Sequence, residues 1–376
     1  MISVIMPVYN GAEFLEDTIQ SVINQTEKDF ELIIINDGST DHSEEIILSF
    51  SDPRIRYFKQ ENQGPAAARN KGLDHVNGDF VVIQDADDVS LPCRFEILKR
   101  RFTSPVVGIV HSDVLLINEK NEPLGYWTSS NIERKRILRF YLKVGTPFNN
   151  NSLMIRREAL QGVRYDTSLR VVEDTDMILQ VARNWDAVHV PEPLLLYRRH
   201  SSNISNEKDY NVLFAHVRKF LNNHSPEDFI PELNWQRGDA SGNQAKACAI
   251  IALFLLRRGM LTDCQIWYNK AQALLHESSD SFVHAIGHMI ARDYQGAKNQ
   301  LATCDGKDPV SLNYLGECFA LTGETNKAHE CFLKALQLKP DYEEPMENLK
   351  GLIGIGRMAT IDRAWTKFYN LHLRPI

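Results

Sequence analysis

The chain has 376 residues, 43% of them apolar and 24% charged, with a formal net charge of −7. Such a length predicts two domains or three, with enough chain to bury a core. The acidic balance excludes a general nucleic-acid binder, which needs a basic face.

The opening residues, MISVIMPVYNG, have no basic stretch before an apolar one and do not read as a signal peptide. No run of about 18 apolar residues occurs to span a bilayer, so a cytoplasmic location is expected. The six cysteines (Cys93, Cys248, Cys264, Cys304, Cys318 and Cys331) form no CxxC pair and are expected to be buried free thiols rather than disulfides or metal ligands.

In the first half, short apolar runs alternate with amphipathic helical stretches. Strands are predicted at 3–9 (SVIMPVY), 30–37 (FELIIIND), 55–60 (IRYFKQ) and 79–85 (DFVVIQD). Helices are predicted between them at 12–25, 41–50 and 64–76. Near-continuous Val/Ile runs mean strands buried on both faces, and so a parallel sheet in an α/β layer fold. Further strands are predicted at 106–118, 152–158 and 187–200, with a helix starting near Glu173. A turn-rich connector follows at 206–244.

From 245 to 376 everything reads as helical. Leu312, Leu315, Gly316, Phe319, Gly323, Ala328, Phe332, Ala335 and Pro340 fall at the offsets of a tetratricopeptide repeat. Weaker copies span 245–277 and 278–308, and a degenerate helix pair spans 343–371, which predicts a small solenoid. Such a stack would hold an acceptor chain, a protein partner or a second copy of itself.

Ligands of α/β sheets lie beyond the carboxyl ends of the strands, so the strand-end residues carry the chemistry. At 81–92, VVIQDADDVSLP, an apolar run leads directly into Asp85, Asp87 and Asp88. Alternate residues of an extended segment face the same way, so Asp85 and Asp87 converge. Carboxylate oxygens suit Mg²⁺ or Mn²⁺, and a cation with a substrate diphosphate would neutralise the crowd. Taken alone, the cluster reads equally well as a solvated turn with a helix cap. After the second strand Asp37 is placed to accept a ligand N–H, and after the third Arg69 offers a fork for phosphate or a base edge.

Taken together in order, ISVIMPVYN, ELIIINDGSTDHS, NQGPAAARNKG, GDFVVIQDADD and VVEDTDM resemble the signature of the family 2 glycosyltransferases, of GT-A fold. The resemblance covers residues 1–205 and implies a nucleotide-sugar donor, usually a UDP-sugar, and inversion at the anomeric carbon. It implies that Pro7, Val8 and Tyr9 line the base pocket and that Asp37 binds uracil. Asn62 and Arg69 would contact the nucleoside side, Asp85 the ribose or donor sugar, and Asp87 the metal, with Asp88 as an additional acid. The segment YRRH resembles one that closes over the diphosphate, with Arg198 and His200 as phosphate or metal contacts. Asp174 would be the base that deprotonates the acceptor hydroxyl, with Glu173 orienting it. Taken alone, Glu173, Asp174 and Asp176 are ordinary first-turn acids favoured by the helix dipole.

The residues 131–145, NIERKRILRFYLKVG, form a basic stretch for which a solvated face is the simpler reading. The other is contact with a membrane surface or a lipid-diphosphate acceptor. The TPFNNNSLMIRRE segment is expected to shape the acceptor pocket. By analogy the acceptor would be a glycan, a lipid-linked chain or a protein, in bacterial surface-polysaccharide synthesis. The competing expectation is a decayed transferase domain serving as a repeat scaffold, but Asp37, Asp85, Asp87 and Asp174 are all present. A nucleotidyltransferase is disfavoured because PVYNGAEF lacks basic residues.

Overall fold

The computed structural model describes residues 1–129, 131–203, 209–236, 240–275, 280–352 and 373–374. They fall into two compact units that divide at 218/219, inside the stretch read as a connector.

The first unit opens with β1 (Ile2–Val8), α1 (Ala12–Ile23), β2 (Phe30–Asn36), α2 (Ser43–Ser49), β3 (Ile55–Lys59), α3 (Pro65–Asp74) and β4 (Phe80–Ile83). The four strands pair in parallel in the order β3-β2-β1-β4. Ile2, Val4, Met6, Leu32, Ile34 and Val82 are buried in one core that α1 closes with Leu15, Ile19 and Val22. Next come β5 (Val89–Ser90), α4 (Arg94–Arg100), β6 (Val107–Ile117), β7 (Pro123–Trp127), α5 (Ile137–Lys143), β8 (Leu153–Arg156), α6 (Glu173–Ala182), β9 (Asp186–Arg198) and α7 (Tyr210–Asn223), the last of which the unit boundary crosses.

Here the sheet departs from the all-parallel expectation. β8 runs antiparallel to both β4 and β6, β7 antiparallel to β6, and β9 parallel to β6. A strand buried on both faces carries a continuous apolar run whichever way it points, so such runs do not report direction. The short strand β10 (Leu373–Arg374) pairs with β7 at the sheet edge. The result is a mixed sheet whose parallel half delivers the ends of β1, β2, β3 and β4 to one rim.

The second unit is helical: α8 (Pro226–Phe229), α9 (Ala240–Arg257), α10 (Leu261–Leu274), α11 (Ser281–Ile290), α12 (Tyr294–Leu301), α13 (Pro309–Leu321), α14 (Thr325–Leu338) and α15 (Glu343–Leu352). The pairs α9/α10, α11/α12 and α13/α14 follow one another as packed helix pairs, and the degenerate pair expected over 343–371 is described only in its α15 part, the rest lying outside the described residues. Small residues set the close approach both within a pair, as at Gly316 of α13 against α14, and between pairs, as at Gly287 of α11 against α10. A Cβ on Gly316 would stand 2.5 Å from the Phe332 ring, and one on Gly287 would stand 2.0 Å from the Tyr268 hydroxyl. Gly316→Val is therefore expected to destabilise the repeat unit by about 1–3 kcal/mol through overpacking, read from urea denaturation.

Candidate active site

The loops after β1 and β2 are tied together. The Thr40 amide donates to Asn10 Oδ1 at 2.8 Å, the Asn10 amide to Ser39 Oγ at 3.1 Å, and the Ala12 amide to Asp41 Oδ2 at 3.0 Å. Gly38, at φ +76°, takes a left-handed turn, and a Cβ there would lie 2.8 Å from the Asn62 backbone nitrogen. Asp37 is buried and accepts from Gln60 Nε2 (2.6 Å) and from the Gln63 and Gly64 amides (3.0 and 2.8 Å). Its carboxylate thus shapes the loop after β3. On the same rim Val8 is buried, Asn62 is exposed, and Tyr9 presents its ring at 53% exposure.

One carboxylate oxygen each from Asp85, Asp87 and Asp88 lies within 4.8 Å of the others. This all-oxygen set fits a hard divalent ion such as Mg²⁺ or Mn²⁺. Asp87 meets His200, whose Nε2 is 2.9 Å from Oδ2, and the His200 ring packs 5.0 Å from Phe14. Asn203 Nδ2 also reaches Asp87 Oδ2, at 3.2 Å.

Asp88 differs from its neighbours. It is 0% exposed, with Oδ1 accepting the Arg198 amide at 2.9 Å and Oδ2 accepting Asn151 Nδ2 at 2.8 Å. Burial, reinforced by the Asp87 and Asp85 charges, pushes its pKa well above the usual carboxylate range. Behind it lies a buried cation that the sequence did not single out. Arg94 donates to Gln84 Oε1 and Ser90 Oγ (2.8 Å each) and to the Asn151 main-chain oxygen. Burial lowers the Arg94 pKa to about 10, and the Asp88 charge opposes that shift.

Arg69 joins the two acidic groups. From α3 it donates Nη2 to Asp85 at 3.0 Å and Nη1 to Glu173 at 2.9 Å, with its guanidinium 5.5 Å from the Tyr165 ring. Burial works against the Arg69 charge, but Asp85 and Glu173 more than restore it, so its pKa lies above the ordinary arginine value. Burial and the Asp174 charge push Glu173 up to about 7 against the pull of Arg69. Val172, just before α6, sits at φ +64°. That conformation is strained for a β-branched residue, and such strain clusters at functional sites. Asp174, in the first turn, holds the Thr175 amide at 2.6 Å, and Thr175 Oγ1 meets Thr146 Oγ1 at 2.7 Å.

Arg69→Met is expected to destabilise the fold by about 3–5 kcal/mol, because it leaves buried carboxylates without their cation. Glu173 titrates at about 7 even with Arg69 holding it down, and higher without it, so the deficit is largest at alkaline pH and shrinks as pH falls toward 7 and Glu173 protonates. Urea denaturation of both proteins at several pH values checks the sign.

The sequence profile of the Glycosyl transferase family 2 matches residues 3–164. A glycosyltransferase of Methanocaldococcus jannaschii is 32% identical over 205 residues, 53% of this chain and 70% of that one. The chain is a family 2 glycosyltransferase.

A Tetratricopeptide repeat profile matches residues 309–342 of this glycosyltransferase, the α13/α14 pair. A Rickettsia felis glycosyltransferase is 40% identical over 122 residues, but the chain covers only 20% of its length against 32% of its own. Residues 1–349 of S. aureus TarS align at a TM-score of 0.48 and 16% identity, covering 91% of this chain and 92% of that one.

Of the residues singled out in the glycosyltransferase sequence, Asp85, Asp87, Asp88 and His200 converge with Arg198, and Arg69 joins them to Glu173. Three sit differently from expectation. Arg69 engages carboxylates rather than standing open to a nucleoside. Arg198 is 1% exposed, and its guanidinium donates to the Asp87 carbonyl (2.8 Å) and Asn121 Oδ1 (2.6 Å) and lies 4.6 Å from the Phe14 ring. It therefore braces the acidic loop and is not displayed to a phosphate. Asp88 is the buried anchor of that loop, too enclosed to stand beside Asp87 as an open ligand. Of the basic stretch, Arg134 and Lys135 are exposed, Lys143 is half-buried, and Arg136 and Arg139 are buried. No helix among the described residues is long and apolar enough to cross a membrane. Sequence reasoning missed Arg94, Asn151 and Asn203. The Asn149-Asn150-Asn151 run was the available signal, but nothing local says which carboxylate an asparagine meets.

Proposed function

We propose that the chain moves a sugar from a UDP-sugar to a hydroxyl of a glycan or lipid-linked acceptor, with inversion in one displacement. The observation that carries this reading is the Arg69 bridge, which brings the acidic loop after β4 and the acidic start of α6 to one guanidinium. In this reading Val8 and Tyr9 flank the base, Asp37 receives its N–H, and Asn62 lies beside the nucleoside.

Asp85 and Asp87, with His200, are the residues that would hold a Mg²⁺ or Mn²⁺ ion. When bound, such an ion stabilises charge on the leaving diphosphate. Arg198 and Asp88 keep that loop in place from behind. Asp174 accepts the proton of the attacking hydroxyl, which must depart as the new bond forms. Glu173, held by Arg69, fixes the first turn of α6 and so the direction in which Asp174 points. The helical repeats would hold the acceptor chain or a protein partner.

The test is release of nucleotide from a panel of UDP-sugars with Mn²⁺, with and without EDTA. Release from one UDP-sugar that EDTA abolishes supports the reading. Release from a GDP-sugar alone corrects the donor, and no release from any nucleotide sugar with a panel of hydroxyl acceptors overturns it.

A further inference from the structure

Asn151 lies between β4 and α6 in sequence and, in the fold, touches two of the three acids. Its Nδ2 donates one hydrogen to Asp85 Oδ2 at 2.6 Å and the other to Asp88 Oδ2 at 2.8 Å. An amide nitrogen has two hydrogens, and both are used on carboxylates. Its Oδ1 is buried without a hydrogen-bond partner among the described residues, in a side chain only 3% exposed. An orphan buried acceptor is costly, so the orientation of this amide is set by the carboxylates and not by a donor waiting for its oxygen.

The backbone is fixed independently. The Asn151 amide donates to Asn149 Oδ1 at 3.0 Å, and the buried Arg94 guanidinium binds its carbonyl. The amide is therefore held rigidly from behind and presents two donors to the acids. It can hold Asp85 and Asp88 at a set separation against their repulsion.

We propose that Asn151 is a positioning residue of the cation seat, a neutral strut that ties Asp85 to the buried anchor Asp88 and so keeps Asp85 in ligand geometry before any ion arrives. The proposal rests on reading the acidic loop as a cation site. A hydrogen bond that orients a ligating carboxylate commonly changes metal affinity by about 10–100-fold when lost. Asn151 would thereby set how tightly the donor complex is held without touching the donor.

The experiment is Mn²⁺ titration of the full chain with UDP present, followed by calorimetry and by the electron paramagnetic resonance signal of free Mn²⁺. Wild type is expected to bind, and Asn151→Ala to bind about 10–100-fold more weakly. Asn151→Asp keeps the shape but replaces two donors with a further acid. Its melting temperature without metal is expected to fall below that of wild type, and the rise on adding Mn²⁺ to exceed the wild-type rise. Unchanged Mn²⁺ affinity in Asn151→Ala, or a metal-free Asn151→Asp that melts like wild type, overturns the strut. Failure of wild type itself to bind Mn²⁺ overturns the cation reading beneath it, and that result is distinct from indifference of the variants.

Discussion

Asp174→Asn is expected to lower turnover by about 10²–10⁴-fold, the range of a positioned general base, while UDP affinity stays at the wild-type value. Asparagine preserves the shape and can still accept from the Thr175 amide, as Asp174 does at 2.6 Å, so the first turn of α6 should stand. What it lacks is a lone pair basic enough to take the acceptor proton. The loss should appear in kcat, because the proton leaves only as the transition state forms. Steady-state kinetics, with UDP binding by calorimetry on the same preparations, separates the two quantities. A variant that turns over normally would remove Asp174 from the mechanism. Glu173 would then be next to test, since its pKa of about 7 also suits proton transfer.

Asp87→Asn is expected to affect the other half of the reaction. Asp87 is half-buried and meets His200 at 2.9 Å and Asn203 at 3.2 Å, so an amide in its place can keep contacts but not the charge. A bound ion supplies several kcal/mol of transition-state stabilisation, and its loss corresponds to about 10²–10³-fold or more in kcat/KM. In contrast to the Asp174 variant, binding of UDP with Mn²⁺ should weaken as well. Raising Mn²⁺ should restore part of the activity, because the site keeps Asp85 and His200. Activity equal to wild type at limiting Mn²⁺ would show that Asp87 holds no metal. The two variants together make a diagnostic pair, one losing chemistry with binding intact and the other losing both.

Most of the catalytic domain was legible from local patterns. The strand ends carrying Asp37 and Asp85 and the helix starts carrying Arg69 and Asp174 could be located because apolar runs and turn residues mark them without knowledge of the fold. The repeats were legible for a related reason. Gly316 and Phe332 recur at fixed offsets because one helix must pass close to its partner, and a Cβ at Gly316 would stand 2.5 Å from that ring. The direction of β8 was not legible, since burial on both faces hides it.

The sequence by itself determined the alternation of strands and helices, the crowding of three acids after β4 and the acidic start of α6, because these depend on residues near one another in the chain. Only the tertiary structure decided how those acids are kept together. Arg69 lies 104 positions from Glu173 and 16 from Asp85, and Asn151 lies 66 from Asp85 and 63 from Asp88. The partners of a buried charge are chosen by where the fold brings elements together, and desolvation then makes those partners obligatory. Arg69 and Asn151 therefore acquire their roles from packing, and Arg198 and Asp88, which the sequence offered as ligand contacts, are drawn into the scaffold by the same rule.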